Sequence, residues 1–266
     1  MKMVSGLRQF NTSAAILPKT ARIVEVGLRD GLQNESRVVT TETKLKLLNL
    51  LYAAGLRSIE AGSFVSPKWV PQMKDAPDIF KYIKDNKAAY PQASFSALTP
   101  NTKGLESAIE LGVKEIAIFG AASESFTQKN INCSISESLK RFESVCLEAS
   151  KHNIKIRGYV SCVLGCPYEG MVNPSKVTEI SKLMLDMGCY EISLGDTIGI
   201  GNVGTTKVLL ANVLSKLPAE QVAVHFHNTY GQVTHHPSIF SNIIYVIDTI
   251  GSCKHICCLG AWNQYH

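Results

Sequence analysis

Residues Ile23 to Glu35 read IVEVGLRDGLQNE. The stretch opens as a short apolar run rich in β-branched residues, the pattern of a buried strand. It breaks at Gly27 and sets Arg29 beside Asp30, just past the strand's carboxyl end. Gly31 and the polar residues Gln33, Asn34 and Glu35 follow. A guanidinium next to a carboxylate on a glycine-flanked loop can hold an anionic substrate and a metal together. An exposed ion pair on an ordinary turn accounts for the same residues, and such pairs contribute little to stability. The rest of the chain has to decide between these readings.

Working outward, the next segment is helical. Thr41–Ala54 carries Leu45, Leu48 and Leu51 on one face, with Thr41 as the expected cap and Gly55 as the stop. Arg57–Ala61 then reads as a strand bearing Glu60. Further strands are expected at Ser94–Thr99, Lys114–Phe119, Ile154–Val163, Tyr190–Leu194 and Gln221–His227. Helices are expected around Trp69–Ile83 and over Lys103–Leu111, Ser136–His152, Pro174–Met187 and Thr205–Leu217. This β-then-α alternation, in units of about 30 residues, implies parallel strands joined by crossover helices. No GxGxxG follows the first strand, so a dinucleotide-binding sheet lacks its usual mark. The pattern predicts an α/β fold, a TIM (β/α)8 barrel.

The polar residues favour one end of these strands. Arg29 and Asp30 follow the first, Glu60 lies on the second, Asp196 follows the sixth, and His225 and His227 close the seventh. In a (β/α)8 barrel the carboxyl ends converge on one mouth, where active sites form. Side chains two apart on a strand point the same way, so the His225-Phe226-His227 run presents two imidazoles together. Two imidazoles beside a carboxylate suit a divalent ion. Histidines satisfied by hydrogen bonds near a strand end would look the same. Asp196, in a small-residue turn, can orient an imidazole or a water, or simply cap the following helix. A carboxylate buried at Glu60 needs a cationic partner, and Arg29 is the candidate.

Composition limits the alternatives. The chain has 266 residues, 45% hydrophobic and 18% charged, with a formal charge of +5. The basic residues are scattered, which gives no support to nucleic-acid binding, while a mild positive balance suits a small anionic substrate. No apolar run reaches the roughly 18 residues of a membrane span. Eight cysteines are present, and Cys146, Cys162 and Cys189 lie in apolar runs expected to be buried in a reducing compartment. Cys162 and Cys166 lack a second pair at zinc-site spacing. Residues 1–20 contain no acidic residue but carry Lys2, Arg8 and Lys19, and an Arg8-x-Phe10-x-x-Ser13 pattern. A mitochondrial presequence has that composition, as does a disordered tail.

Six motifs then carry a family resemblance: GLRDGLQNE (27–35), SFVSPKWVPQM (63–73), IFGAASESFTQKNINCSI (118–135), RGYVSCVLGCPYEG (157–170), GCYEISLGDTIGIG (188–201) and HFHNTYGQ (225–232). In this order they resemble the 3-hydroxy-3-methylglutaryl-CoA lyase family, within a wider group of metal-dependent barrel lyases and Claisen-type synthases. The resemblance implies cleavage of that acyl-CoA to acetyl-CoA and acetoacetate with a divalent cation, Mg2+ or Mn2+. It implies Asp30, His225 and His227 as metal ligands. Arg29 would bind substrate and stabilise the enolate oxygen, and Glu60 would hold Arg29. Asp196 and His225 would serve the proton-transfer network. It further implies a mitochondrial matrix location and a homodimer.

The resemblance covers residues 21–232, after a presequence or tail at 1–20, and stops at a divergent tail, 233–266. Where the family continues with a helix, an eighth strand and a glycine-rich loop bearing a reactive cysteine, this chain has Pro237 and then Ile243–Ile250 as a possible early strand. Cys257 and Cys258 fall near the cysteine by count but sit among Lys254, His255 and Ile256 rather than glycines. Asn263 is a nominal fourth metal ligand without context. The expectation is a barrel incomplete at its eighth strand, with open edges on strands one and seven and little or no lyase activity. Two other readings stay open. One is a non-catalytic isoform that keeps metal or subunit binding. The other is a Claisen-type synthase, against which HFHNTYG lacks the H-x-H-N-D stretch.

Overall fold

The computed structural model describes residues 22–227 and 229, and the backbone of 244–246. Among the described residues ten strands occur: β1 Val24–Glu25, β2 Ser58–Ser63, β3 Ser94–Leu98, β4 Glu115–Ala121, β5 Lys155–Ser161, β6 Gly165–Cys166, β7 Gly170–Met171, β8 Glu191–Asp196, β9 Val222–Phe226 and β10 Ile244–Val246. The helices are α1 Thr41–Ala53, α2 Ala76–Asp85, α3 Thr102–Glu110, α4 Glu124–Ile131, α5 Ile135–Lys151, α6 Pro174–Asp186 and α7 Val203–Leu214. Eight strands form one parallel sheet in the order β1-β2-β3-β4-β5-β8-β9-β10, while β6 and β7 make a small antiparallel hairpin. Spatial order follows chain order, as in a (β/α)8 barrel, and the fold is the expected barrel.

Several local details differ from the sequence expectation. The first strand is only Val24–Glu25, and the chain then winds into a π-helical turn, Gly27–Gly31. The amides of Arg29, Asp30 and Gly31 all point at the Val26 carbonyl. Helix α1 is capped by Thr40, whose hydroxyl accepts from the Thr43 amide, and not by Thr41. Helix α4 fills a stretch for which the sequence pattern predicted no element. Ser123 caps it and Asn132 ends it at a φ of 50°, so short polar residues rather than an apolar stripe define it. Helix α7 begins two residues early because Asn202 and Thr205 form a reciprocal cap.

The expected bare edge on the seventh strand is corrected. Residues 244–246 of the divergent tail pair in parallel with Ala223–His225. Among the described residues no ladder joins this short strand to β1, so the barrel stays incomplete at its eighth strand. Residues 1–20, expected as a presequence or a tail, and Pro237, Cys257, Cys258 and Asn263 lie outside the described residues.

Between helices and sheet runs a continuous apolar layer. Phe142 and Val145 of α5, Val177, Ile180 and Met184 of α6, and Leu209 and Val213 of α7 are all buried in it. Truncating one such residue costs about 2–5 kcal/mol. Gly158 marks the orientation of β5, because a Cβ there would meet Met184 of α6. Its neighbours Arg157 and Tyr159 therefore point the other way, into the barrel. Cys146, Cys162 and Cys189 are buried free thiols, as expected. A polar clamp holds the segment after the π-turn. Buried Lys44 donates to the Gln72 carbonyl and to Asp75 Oδ1, and the Gln72 side chain bridges Val39 N and Arg37 O. Among the described residues no helix is long and apolar enough to cross a membrane.

Candidate active site

The π-turn places Arg29 and Asp30 at the barrel mouth. Arg29 is 6% exposed, so the pair is not the surface ion pair that the sequence alone allowed. Its Nε donates to Glu60 Oε1 and its Nη1 to Asp30 Oδ1. Glu60 is fully buried on β2, at a point where the register to β3 slips between Glu60 and Gly62. Such irregularities re-aim side chains. Burial opposes the charge on Arg29, but the carboxylates of Asp30 and Glu60 outweigh it and raise the guanidinium's pKa. Burial likewise opposes ionisation of Asp30, yet Arg29, then His225 and His227, lower its pKa.

The two histidines arrive from β9 and the residue after it. Their ring centroids are 5.2 Å apart. His227 Nδ1 lies 2.8 Å from the Asp196 carbonyl oxygen, which can only accept, so this nitrogen carries the proton and Nε2 keeps a lone pair. Burial, its largest influence, drives the His225 pKa down to about 4 despite the nearby Asp30, so this imidazole is neutral at pH 7. One donor atom from each of Asp30, His225 and His227 lies within 4.8 Å of the others. His225 Nε2 is buried and makes no hydrogen bond. A buried, unpartnered imidazole nitrogen beside an anionic oxygen is unfavourable unless something binds it. This donor set therefore fits a divalent cation, with small side-chain shifts to close about 2.1 Å bonds.

Asp196 holds the loop that leads to α7. Its carboxylate accepts from the amides of Ile200, at 3.3 Å, and Gly201, at 2.8 Å, and so folds the following loop around itself. A Cβ at position 201 would lie 2.7 Å from Asp196 Oδ2, which is why glycine stands there. It is the main-chain oxygen of Asp196, not its carboxylate, that orients an imidazole. Burial raises the carboxyl's pKa against the pull of the Gly201 and Ile200 amides.

The sequence reading missed Tyr159 and Arg157. The Tyr159 hydroxyl donates to Glu60 Oε2 at 2.8 Å, and Arg157, 1% exposed, pairs with Glu191. An arginine inside a parallel strand, two residues before a tyrosine, was the available signal.

Comparison with known proteins follows the same lines. The family model described as HMGL-like matches residues 20–235. The chain is similar to the mitochondrial hydroxymethylglutaryl-CoA lyase of Bos taurus, 55% identical over 230 residues, which are 86% of this chain and 70% of that protein. It is similar to the cytoplasmic 3-hydroxy-3-methylglutaryl-CoA lyase of Danio rerio, 54% identical over 81% of this chain and 63% of that protein. The crystal structure of hydroxymethylglutaryl-CoA lyase from Pseudomonas aeruginosa superposes with a TM-score of 0.80 at 50% identity, covering 87% of this chain and 76% of that one.

Proposed function

The chain belongs to the HMGL-like family, and we propose that it carries the site of a divalent-metal-dependent lyase cleaving 3-hydroxy-3-methylglutaryl-CoA to acetyl-CoA and acetoacetate. The observation that supports this most directly is the meeting of Arg29 with the Asp30, His225 and His227 donor set at one mouth. Asp30, His225 and His227 would hold Mg2+ or Mn2+, whose chemistry when bound is to bind and acidify a hydroxyl and to neutralise carboxylate charge.

The chain's own residues then have separate tasks. Arg29 presents a fixed cation where a thioester enolate develops negative charge, a device that acts most strongly in a dry site. Glu60 holds the guanidinium by its Nε, and Asp30 engages Nη1. His225, neutral at pH 7, can give its ring nitrogen to the ion without first losing a proton. His227 is fixed as a donor atom through the Asp196 main chain, and the Asp196 carboxylate shapes the loop beside it.

Relatives of both mitochondrial and cytoplasmic description match the chain. The acid-free first 20 residues favour the mitochondrial matrix, and a homodimer is the proposed assembly. The domain boundaries at 20 and 232 are proposed on the same sequence grounds, as is weak turnover, since residues 233–266 depart from the family's cysteine loop.

The test is direct. The purified chain is incubated with 3-hydroxy-3-methylglutaryl-CoA and Mg2+ or Mn2+, and both products are measured. Acetyl-CoA and acetoacetate in equal amounts, formed well below the rate of a family member with the cysteine loop, are expected. Absence of both products, with metal bound, favours the non-catalytic reading instead.

A further inference from the structure

Arg29 is held by more than its own turn. A continuous series of side-chain contacts reaches it from the floor of the barrel. Arg22 Nη2 donates to Glu191 Oε2 at 2.6 Å, and Arg157 Nε donates to the other oxygen of the same carboxylate at 2.7 Å. Arg157 Nη1 donates to the Tyr159 hydroxyl at 3.3 Å. That hydroxyl donates to Glu60 Oε2 at 2.8 Å, and Glu60 Oε1 receives Arg29 Nε. Both guanidinium carbons lie near the Tyr159 ring, Arg29 Cζ 5.5 Å and Arg157 Cζ 5.2 Å from its centroid. Strands β5 and β2 are separated in the sheet by β3 and β4, so the Tyr159–Glu60 bond crosses the barrel interior.

We infer that Tyr159 is a positioning residue for Arg29: backed by Arg157 and Glu191, its hydroxyl occupies one oxygen of Glu60 and thereby fixes how the guanidinium is held. Arg–carboxylate pairs favour a bidentate fork when both oxygens are available. Tyr159 takes one oxygen, so Glu60 engages Arg29 through Nε alone and leaves Nη1 for Asp30. Without the hydroxyl, Glu60 can rotate and take two donors, drawing the guanidinium off Asp30. The inference rests on the lyase reading for what Arg29 does, but not for how it is held.

The experiment records the arginine Nε–Hε signals in a 1H–15N spectrum of the full chain without substrate, with Arg29 assigned from its loss in Arg29→Lys. In Tyr159→Phe the Arg29 signal is expected to move, and its proton to exchange with water about fivefold faster, the population equivalent of one neutral hydrogen bond. Arg157→Lys keeps the charge but loses the fork, and should move the same signal less, in the same direction. An unmoved Arg29 signal in folded Tyr159→Phe overturns the inference. If Tyr159→Phe shows no cooperative melt, Arg157→Lys decides by the same criterion; if neither melts cooperatively, the group is a folding cluster and the positioning role is rejected. Failure of turnover in the product assay counts against the lyase reading and leaves the Arg29 spectrum unaffected, so the two outcomes are separable.

Discussion

Asp30 Oδ2 and His225 Nε2 face each other at 3.3 Å, yet they share no hydrogen bond. Two such atoms, one anionic and one a buried imidazole nitrogen without a partner, are poised for a cation that neither can replace for the other. Mn2+ should therefore raise the melting temperature of the chain. At a hundredfold excess over Kd the stabilisation is about 2.7 kcal/mol. Differential scanning calorimetry with and without Mn2+ checks this. In Asp30→Asn or His227→Ala the shift should largely vanish; an undiminished shift in both would place the ion elsewhere.

The depressed pKa of His225 predicts an acid-labile fold in the metal-free state. The folded imidazole titrates at about 4, against an ordinary value of 6.5. The fold thus favours the neutral ring, and the stability this supplies is complete above pH 6.5. It falls away as pH drops from 6.5 toward 4, by at most about 1.4 kcal/mol per pH unit for one proton. Asp30, whose pKa is lowered, adds its own loss only below the ordinary carboxylate value of 3.8. Urea midpoints measured in chelator at several pH values should show the first slope, and His225→Gln should flatten it.

Lys44 is predicted to be among the costliest single positions away from the mouth. It is 1% exposed and lies 2.7 Å from Asp75 Oδ1, whose partner oxygen accepts from Thr41 at 3.0 Å. Lys44→Met leaves the Asp75 carboxylate buried without its cation, which costs about 3–5 kcal/mol. Adding Asp75→Asn should recover part of that loss. Chemical denaturation of the single and double variants tests the pairing, and additive losses would contradict it.

Gly201→Ala should disturb the site indirectly. The new methyl would sit 2.7 Å from Asp196 Oδ2 and 2.6 Å from Leu164 Cδ1. Relief of that overlap requires the loop to move, at about 1–3 kcal/mol. Because the Asp196 main chain also orients His227, Mn2+ affinity should fall with stability. Calorimetric titration distinguishes this from simple destabilisation, in which affinity at low temperature stays unchanged.

Much of this was legible in the sequence because the relevant signals are local. Strand-helix alternation and the placement of Arg29, Asp30, Glu60, Asp196, His225 and His227 need only periodicity and strand polarity. What stayed hidden depends on distance in space. The bond from Tyr159 to Glu60 joins residues 99 apart in sequence, and no pattern within either strand announces it. Likewise, an aspartate in a glycine-rich turn does not reveal which of its oxygens faces the histidine. Helix α4 escaped because caps at Ser123 and Asn132, rather than an apolar stripe, set its ends. The strand at 244–246 was visible as an apolar run, but its covering of β9 was not.

The interior of a (β/α)8 barrel is ordinarily stacked with branched aliphatic side chains. Here Arg157, Glu191 and Glu60, each at most 1% exposed, take up that space. Replacing buried ions of this kind with well-fitted apolar residues commonly stabilises a protein. The floor of this barrel is accordingly where selection for heat resistance would find its easiest gains. Any lineage that took them would loosen its hold on Arg29, so thermal adaptation in this fold should proceed through the outer helices and leave the charged centre alone.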